Sequence, residues 1–293
     1  MKNILITGSS GYIATNFIKK FAEKYNFICL SHKKIKDHII LEDLYSNNVL
    51  VNSIDVIVNL AGANISAKRW SLRRKQELLQ SRLLTTQKIV SLFNSLDKKP
   101  HLISASAVGI YPQELINDEF TTLDYQDYEN FSQEITKKWE VAAHQYQGAL
   151  TITRFGVVFG SEGGAFPQML KPFLFYTGSV LASGLQYMPW IALPDLLNTI
   201  DYVISNQQTG IYNFVAPNMV NNRQLAMLIT KIWNKPIIGR IPKFVIKILF
   251  GQMGEELFLN SIKVLPTRLI NENFIFMYPD LSAAMIAIKN KVF

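Results

Sequence analysis

Asn3-Ile4-Leu5-Ile6-Thr7-Gly8-Ser9-Ser10-Gly11-Tyr12-Ile13-Ala14 is the stretch that decides the fold. Asn3 to Thr7 is a short apolar run of strand character. Tyr12 to Lys24 carries Ile13, Phe17, Ile18 and Phe21 at helical spacing. Gly8 lets the chain turn sharply between them, Gly11 lets the backbone approach a pyrophosphate, and the small Ala14 lets the helix pack on the strand. The helix start then offers N–H groups and the positive end of its dipole to phosphate. A glycine motif alone is weak. In this strand–turn–helix setting it reads as a dinucleotide-binding turn, with an ordinary glycine-rich loop as the bland alternative.

The alternation continues downstream. Phe27 to Ser31, a short piece around Ile39 to Leu41, Ile54 to Leu60, His101 to Ser104 and Leu150 to Phe155 read as strands. Ser71 to Leu96 and Asp127 to Tyr146 read as helices between them. Ile54 to Leu60 is nearly unbroken apolar sequence, as a strand covered on both faces requires. The expected fold is α/β: a Rossmann-type doubly wound parallel sheet with a smaller C-terminal domain on the substrate side. The texture changes near Gly160, which divides 1–160, a dinucleotide-binding domain, from 161–293, with some later segments returning to the first core. Asn222 to Trp233, Pro242 to Phe250 and a segment after Pro279 read as helices of the second part.

The chain has 293 residues, 48% of them hydrophobic and 18% charged, enough for a full core and at most two domains. The 30 basic and 22 acidic residues give a formal charge of +8, and mean hydropathy is +0.11. The densest basic groups are Lys33, Lys34 and Lys36, then Lys68, Arg69, Arg73, Arg74 and Lys75. They read as short and scattered, so no nucleic-acid partner is expected. A single cysteine, Cys29, excludes an intrachain disulfide and points to a reducing compartment. The uncharged stretch Pro172 to Pro194 is interrupted by Gly178, Gly184, Gln186 and Pro189, so no membrane partner is expected and the protein reads as cytoplasmic. Its aromatic residues form either a substrate wall or plain core. Four histidines and one cysteine show no metal-ligand spacing, and neither a nucleophile elbow nor a Walker-type phosphate loop occurs. Asp118-Glu119 and Glu255-Glu256 read as solvated surface pairs.

An acidic residue at the end of the second strand would bind the ribose 2′-hydroxyl of NAD. This chain has Ser31-His32-Lys33-Lys34 there and no carboxylate before Asp37. Cations at this point suit a 2′-phosphate, so NADP(H) is favoured over NAD(H).

The turn spacing, GxxGxxA, resembles that of extended short-chain dehydrogenases/reductases. Further segments resemble one atypical branch of that superfamily: epimerase-like proteins with a C-terminal domain of unknown function, the type called family 39U in humans. These are Asn59-Leu-Ala-Gly62, Lys68-Arg69-Trp70, Ser81-Arg82, Thr85-Thr86, Ser104-Ala-Ser-Ala-Val-Gly109 with Tyr111, Trp139-Glu140 and Arg154-Phe-Gly-Val-Val158. Later come Gly184 with Gln186, Trp190-Ile191, Asn213, Ala216-Pro217, Pro266, Arg268-Leu269 and Phe274 through Pro279. The resemblance implies cofactor contacts from Gly8, Ser10, Gly11, Tyr12 and Ile13, from Ser31, His32 and Lys33, and from Leu60, Ala61 and Gly62 beside the ribose. It also implies contacts from Ser104, and from Phe155 to Val158 at the nicotinamide. Ser106 falls where such enzymes place the serine that bonds the reacting oxygen. Arg82 and Trp190 fall near the cleft, either as site residues or as packing.

Active members of the superfamily pair that serine with Tyr-x-x-x-Lys on one helix face, where the lysine charge lowers the phenol pKa. None of the 12 tyrosines here precedes lysine by four residues. Alignment on Trp139-Glu140 puts Ser132 and Thr136 at the two positions, and Tyr128 or Tyr111 is a candidate displaced phenol. The chain also departs from the branch at His32, Leu185, Ala192 and Pro194. The resemblance implies an NADP(H)-dependent oxidoreductase or epimerase acting on a carbonyl or hydroxyl of a small molecule. The alternative is a cofactor-binding regulator or scaffold without turnover. The sequence does not fix an oligomeric state; related folds often dimerise through helices such as 71–96 and 127–146, which leaves a homodimer open.

Overall fold

The computed structural model describes residues 1–31, 36–113 and 115–293. Six parallel strands form the central sheet: β1 (Lys2–Thr7), β2 (Tyr25–Leu30), β3 (Val56–Asn59), β4 (His101–Ala107), β5 (Leu150–Phe155) and β6 (Gly210–Phe214), in the order β6-β5-β4-β3-β1-β2. Four main helices flank it: α1 (Tyr12–Phe21), α2 (Leu72–Asn94), α3 (Phe131–His144) and α4 (Leu193–Ser205).

The period-two pattern of the strands separates two apolar layers. Ile4, Ile6, Val56 and Val58 face one cluster with Phe17 of α1 and Leu196 and Ile200 of α4. Leu5 and Ile57 face the other, with Ile89, Val90 and Phe93 of α2. Because α4 and β6 complete this sheet, residues 193–214 lie in the first core even though they follow Gly160 in sequence.

The short strand expected at Ile39 to Leu41 shrinks to one parallel bridge between Ile39 and Leu30. Leu41 already opens a short helix, Leu41–Ser46, whose first turn carries Glu42 and Asp43. Acidic residues suit a helix start and not an edge strand.

A third apolar cluster gathers Phe159, Phe166, Phe173 and Trp190 with helices Asn222–Trp233 and Leu281–Lys289. The aromatic stretch 172–194 thus divides: Phe173 and Trp190 are core, whereas Phe175 and Tyr176 are exposed. No helix among the described residues is long and apolar enough to cross a membrane.

Candidate functional site

The order reverses between β1 and β3, and the crevice beyond their carboxyl ends is where open α/β sheets bind ligands. Gly8 leaves β1 with φ +62°, and a Cβ on it would stand 2.8 Å from the Leu60 carbonyl oxygen. The Gly11 N–H donates to Gly8 O at 2.8 Å, closing the turn. Gly11 then starts α1 with extended backbone (φ −77°, ψ 157°), and no side chain caps the first turn. The first amides of α1 therefore face the crevice in a cradle that a Cβ at Gly8 would fill.

Ser9 underpins this cradle. Its buried hydroxyl donates to Leu30 O at 2.9 Å and meets His38 Nδ1 at 2.8 Å. Ser10 and Gly11 are exposed above it. The Tyr12 ring extends beneath Gly160–Gly164, and a Cβ at Gly160 or Gly163 would collide with it. Burial, then the Glu162 charge, holds the phenol above its ordinary pKa.

Opposite the glycine turn, the chain leaves β3 as Leu60-Ala61-Gly62. Thr7 Oγ1 donates to Asn59 Oδ1 at 2.7 Å and accepts the Ala61 N–H at 3.2 Å. Asn59 Nδ2 and Trp139 Nε1 both donate to Thr86 Oγ1, at 2.9 and 3.0 Å. These bonds fix the rim. Tyr12, Ile13, Leu60, Phe155 and Val158 are half-buried neighbours of one apolar cluster, so three separate sequence segments pack against it. Arg82 stands beside Gly62, donates to Leu78 O and Ala63 O at 3.0 and 3.1 Å, and lies 5.2 Å over the Trp139 ring. Burial, then the charge of Arg74, pushes its guanidinium down to about 10, leaving it charged at neutral pH. Among the described residues no carboxylate pairs with it.

Ser31 is buried at the end of β2, where its N–H donates to Ile39 O; His32 and Lys33 lie outside the described residues. Ser104 is fully buried within β4. Trp190 is 1% exposed and donates its indole N–H to Asn218 O, a packing role.

Ser106 does not present a free hydroxyl. It is 3% exposed and donates to Glu140 Oε1 at 2.5 Å. Arg154 donates to both carboxylate oxygens of Glu140 at 2.8 Å, and the Tyr125 hydroxyl donates to Oε2 at 2.6 Å. Burial pushes the Glu140 carboxyl up, but Arg154, Ser106 and Tyr125 together bring it below the ordinary range. Tyr111 is 1% exposed, accepts from Arg154 and donates to Asn213, and burial raises its phenol to about 12. It is thereby removed as a displaced phenol. Tyr128 is partly exposed, with Lys138 Nζ 5.6 Å from its ring centroid.

At the positions of the missing pair, Thr136 Oγ1 donates back to Ser132 O at 2.6 Å, and Ser132 Oγ donates to Glu256 Oε2 at 2.7 Å. Glu256 also accepts the Phe131 and Ser132 N–H groups, at 3.2 and 2.8 Å, so it caps α3 from the C-terminal part of the chain. This corrects the surface reading for one member of each acidic pair, while Glu255 is exposed. Glu256 is 7% exposed, and Glu119, also 7% exposed, accepts the Asn213 and Arg268 N–H groups. Their partners lie about a hundred residues away or more, beyond any local pattern. Ser9 and His38 were missed because they meet each other 29 residues apart in sequence, which is likewise outside any local pattern. Glu140 carried a local signal, since it shares a helix stripe with Thr136 and Ala143, and Ala143 is fully buried.

A sequence profile described as the NAD dependent epimerase/dehydratase family matches residues 4–214, and one described as a domain of unknown function (DUF1731) matches residues 241–288. An epimerase family protein of Staphylococcus saprophyticus is 33% identical over 301 residues, covering 97% of this chain and 98% of that protein. Among solved structures, human epimerase family protein SDR39U1 with NADPH superposes with a TM-score of 0.90 at 29% identity, over 98% of this chain and 99% of that one. UDP-glucuronic acid 4-epimerase from Bacillus cereus with NAD reaches 0.76 at 14% identity over 99% and 98% of the two chains, a likeness of fold alone.

Proposed function

This chain belongs to the NAD dependent epimerase/dehydratase family, and from that premise we propose that it binds a nicotinamide dinucleotide, NADP(H) in preference to NAD(H), as an oxidoreductase or epimerase of the atypical extended type. The observation that carries the proposal is the cradle between Gly8–Ala14 and Leu60–Gly62, with its uncapped helix start. First-turn amides of α1 hold the pyrophosphate, Leu60, Ala61 and Gly62 border the ribose, and Phe155 to Val158 flank the nicotinamide. Arg82 contributes a cation at the Gly62 rim. The NADP(H) preference is supported by Lys33 and Lys34, with no carboxylate between the second strand and Asp37, and by the NADPH described with the human relative. A bound nicotinamide would supply or accept the hydride exchanged with a carbonyl or hydroxyl carbon. The apolar neighbours of the rim exclude water from that exchange.

A second reading, a non-catalytic NADP(H)-binding regulator or scaffold, is favoured by one feature. The Ser106 proton is committed to Glu140, and Ser132 and Thr136 replace the usual tyrosine and lysine. NADPH oxidation against a panel of ketones, aldehydes and sugar nucleotides separates the two. Turnover abolished by Ser106→Ala, with cofactor affinity and melting temperature retained, establishes the enzyme. Tight cofactor binding with no turnover across the panel establishes the regulator.

A further inference from the structure

The net charge of this protein is concentrated. Residues 68–75 and 240–251 hold eight of the 30 basic residues and none of the 22 acidic ones, so removing them leaves 22 of each sign. Although far apart in sequence, the two stretches meet in the fold. The Arg69 Nε lies 3.0 Å from where a Cβ on Gly251 would stand, and Lys75 Nζ donates to Gln252 Oε1 at 2.5 Å. Trp70 and Met253 share a buried apolar cluster beneath. Of the eight cations only Arg74 is buried, and among the described residues the adjoining acids include Glu77 and Glu255, paired with Arg74 and Lys247. These two basic stretches thus adjoin on one face.

That face is also apolar. Helix Lys243–Phe250 buries one side chain, Ile246. Phe244 and Ile248, one turn apart and on the side away from Ile246, are 63% and 67% exposed. Leu249 is 58% exposed, and Leu72, at the start of α2 beside Arg73, is 83% exposed. Lys243 and Lys247 border the apolar pair. Large apolar side chains ringed by cations are the composition of an interfacial helix, whose apolar face enters the acyl boundary while its cations meet lipid phosphates.

We propose that this face docks the protein on an anionic lipid surface, independently of the cofactor reading. A nucleic-acid backbone would meet the cations but leave Phe244, Ile248 and Leu249 without apolar partners. A two-fold contact with a second copy would set the cationic face against itself. The expectation of no membrane partner rested on the lack of a spanning segment; surface docking needs only a short face of this kind.

The test is co-sedimentation of the full chain with vesicles of phosphatidylglycerol and phosphatidylcholine, compared with phosphatidylcholine alone. The variants are Phe244→Ser with Ile248→Ser, and Arg69→Glu with Lys243→Glu, each checked by thermal melting for an intact fold. Binding to the anionic vesicles that weakens with salt and falls about tenfold or more in each double variant supports the proposal. Absence of binding at low salt, or binding unchanged in the Phe244 and Ile248 variant, overturns it. A dimer seen by light scattering and lost in that variant, without vesicle binding, assigns the face to a second copy and overturns it equally.

Discussion

Ser106 Oγ donates to Glu140 Oε1 at 2.5 Å, joining the serine proposed for the reactive position to a buried ion pair with Arg154. The carboxylate is fully enclosed and accepts from three side chains, so its removal uncovers Arg154 in the core. Glu140→Gln is expected to cost about 3 kcal/mol or more of unfolding free energy in urea, because it leaves a buried charge unpaired. Ser106→Ala is expected to cost only about 1 kcal/mol, the worth of one hydrogen bond. Equal losses in the two variants would contradict this ordering.

Glu256 ties the C-terminal part of the chain to the first turn of α3 through two N–H groups and the Ser132 hydroxyl. Glu256→Leu should lower stability by about 2 kcal/mol, as loss of a helix cap and of buried hydrogen bonds requires. Hydrogen exchange should rise first at the Phe131 and Ser132 amides. Unchanged protection there would show that Glu256 is not the cap.

His101 is partly buried, with Nε2 2.7 Å from Thr151 Oγ1; burial, then the Lys2 charge, pushes its imidazole down to about 4. The folded state therefore resists protonation that the unfolded chain accepts near pH 6.5. Stability should be full above about pH 6.5 and fall as pH drops toward about 4, by roughly 2 kcal/mol after allowance for partial exposure. His101→Asn should flatten that slope in denaturant titrations at stepped pH. A slope identical to the parent would contradict the assignment.

Arg82 is held by two carbonyls and the Trp139 ring, with no carboxylate among the described residues to neutralise it. Arg82→Met should weaken NADPH binding about tenfold, the order of one lost charged hydrogen bond, with a melting temperature close to the parent's. A lowered melting temperature with unchanged cofactor affinity would make Arg82 a packing residue.

Much of the fold was legible because its signals are local. Gly8, Gly11 and Ala14 sit within seven residues, and the strands of the first half read as apolar runs because they are covered on both faces. What was not legible depended on distant partners. The surface readings of Glu119 and Glu256 fail because Asn213, Arg268 and the α3 start reach them from remote segments. The position of Ser106 was readable from sequence; its engagement with Glu140, 34 residues on, was not. The edge strand at Ile39 was lost to helix-start acids at Glu42 and Asp43.

The glycine cradle is the centre of the account, and one measurement bears on it most directly: titration of the purified protein with NADPH and, separately, NADH, followed by nicotinamide fluorescence, with Gly11→Glu as control. The account predicts that NADPH binds well above NADH and that Gly11→Glu, which places a carboxylate where the pyrophosphate would lie, abolishes both. Binding of neither nucleotide, or binding untouched by Gly11→Glu, would contradict it.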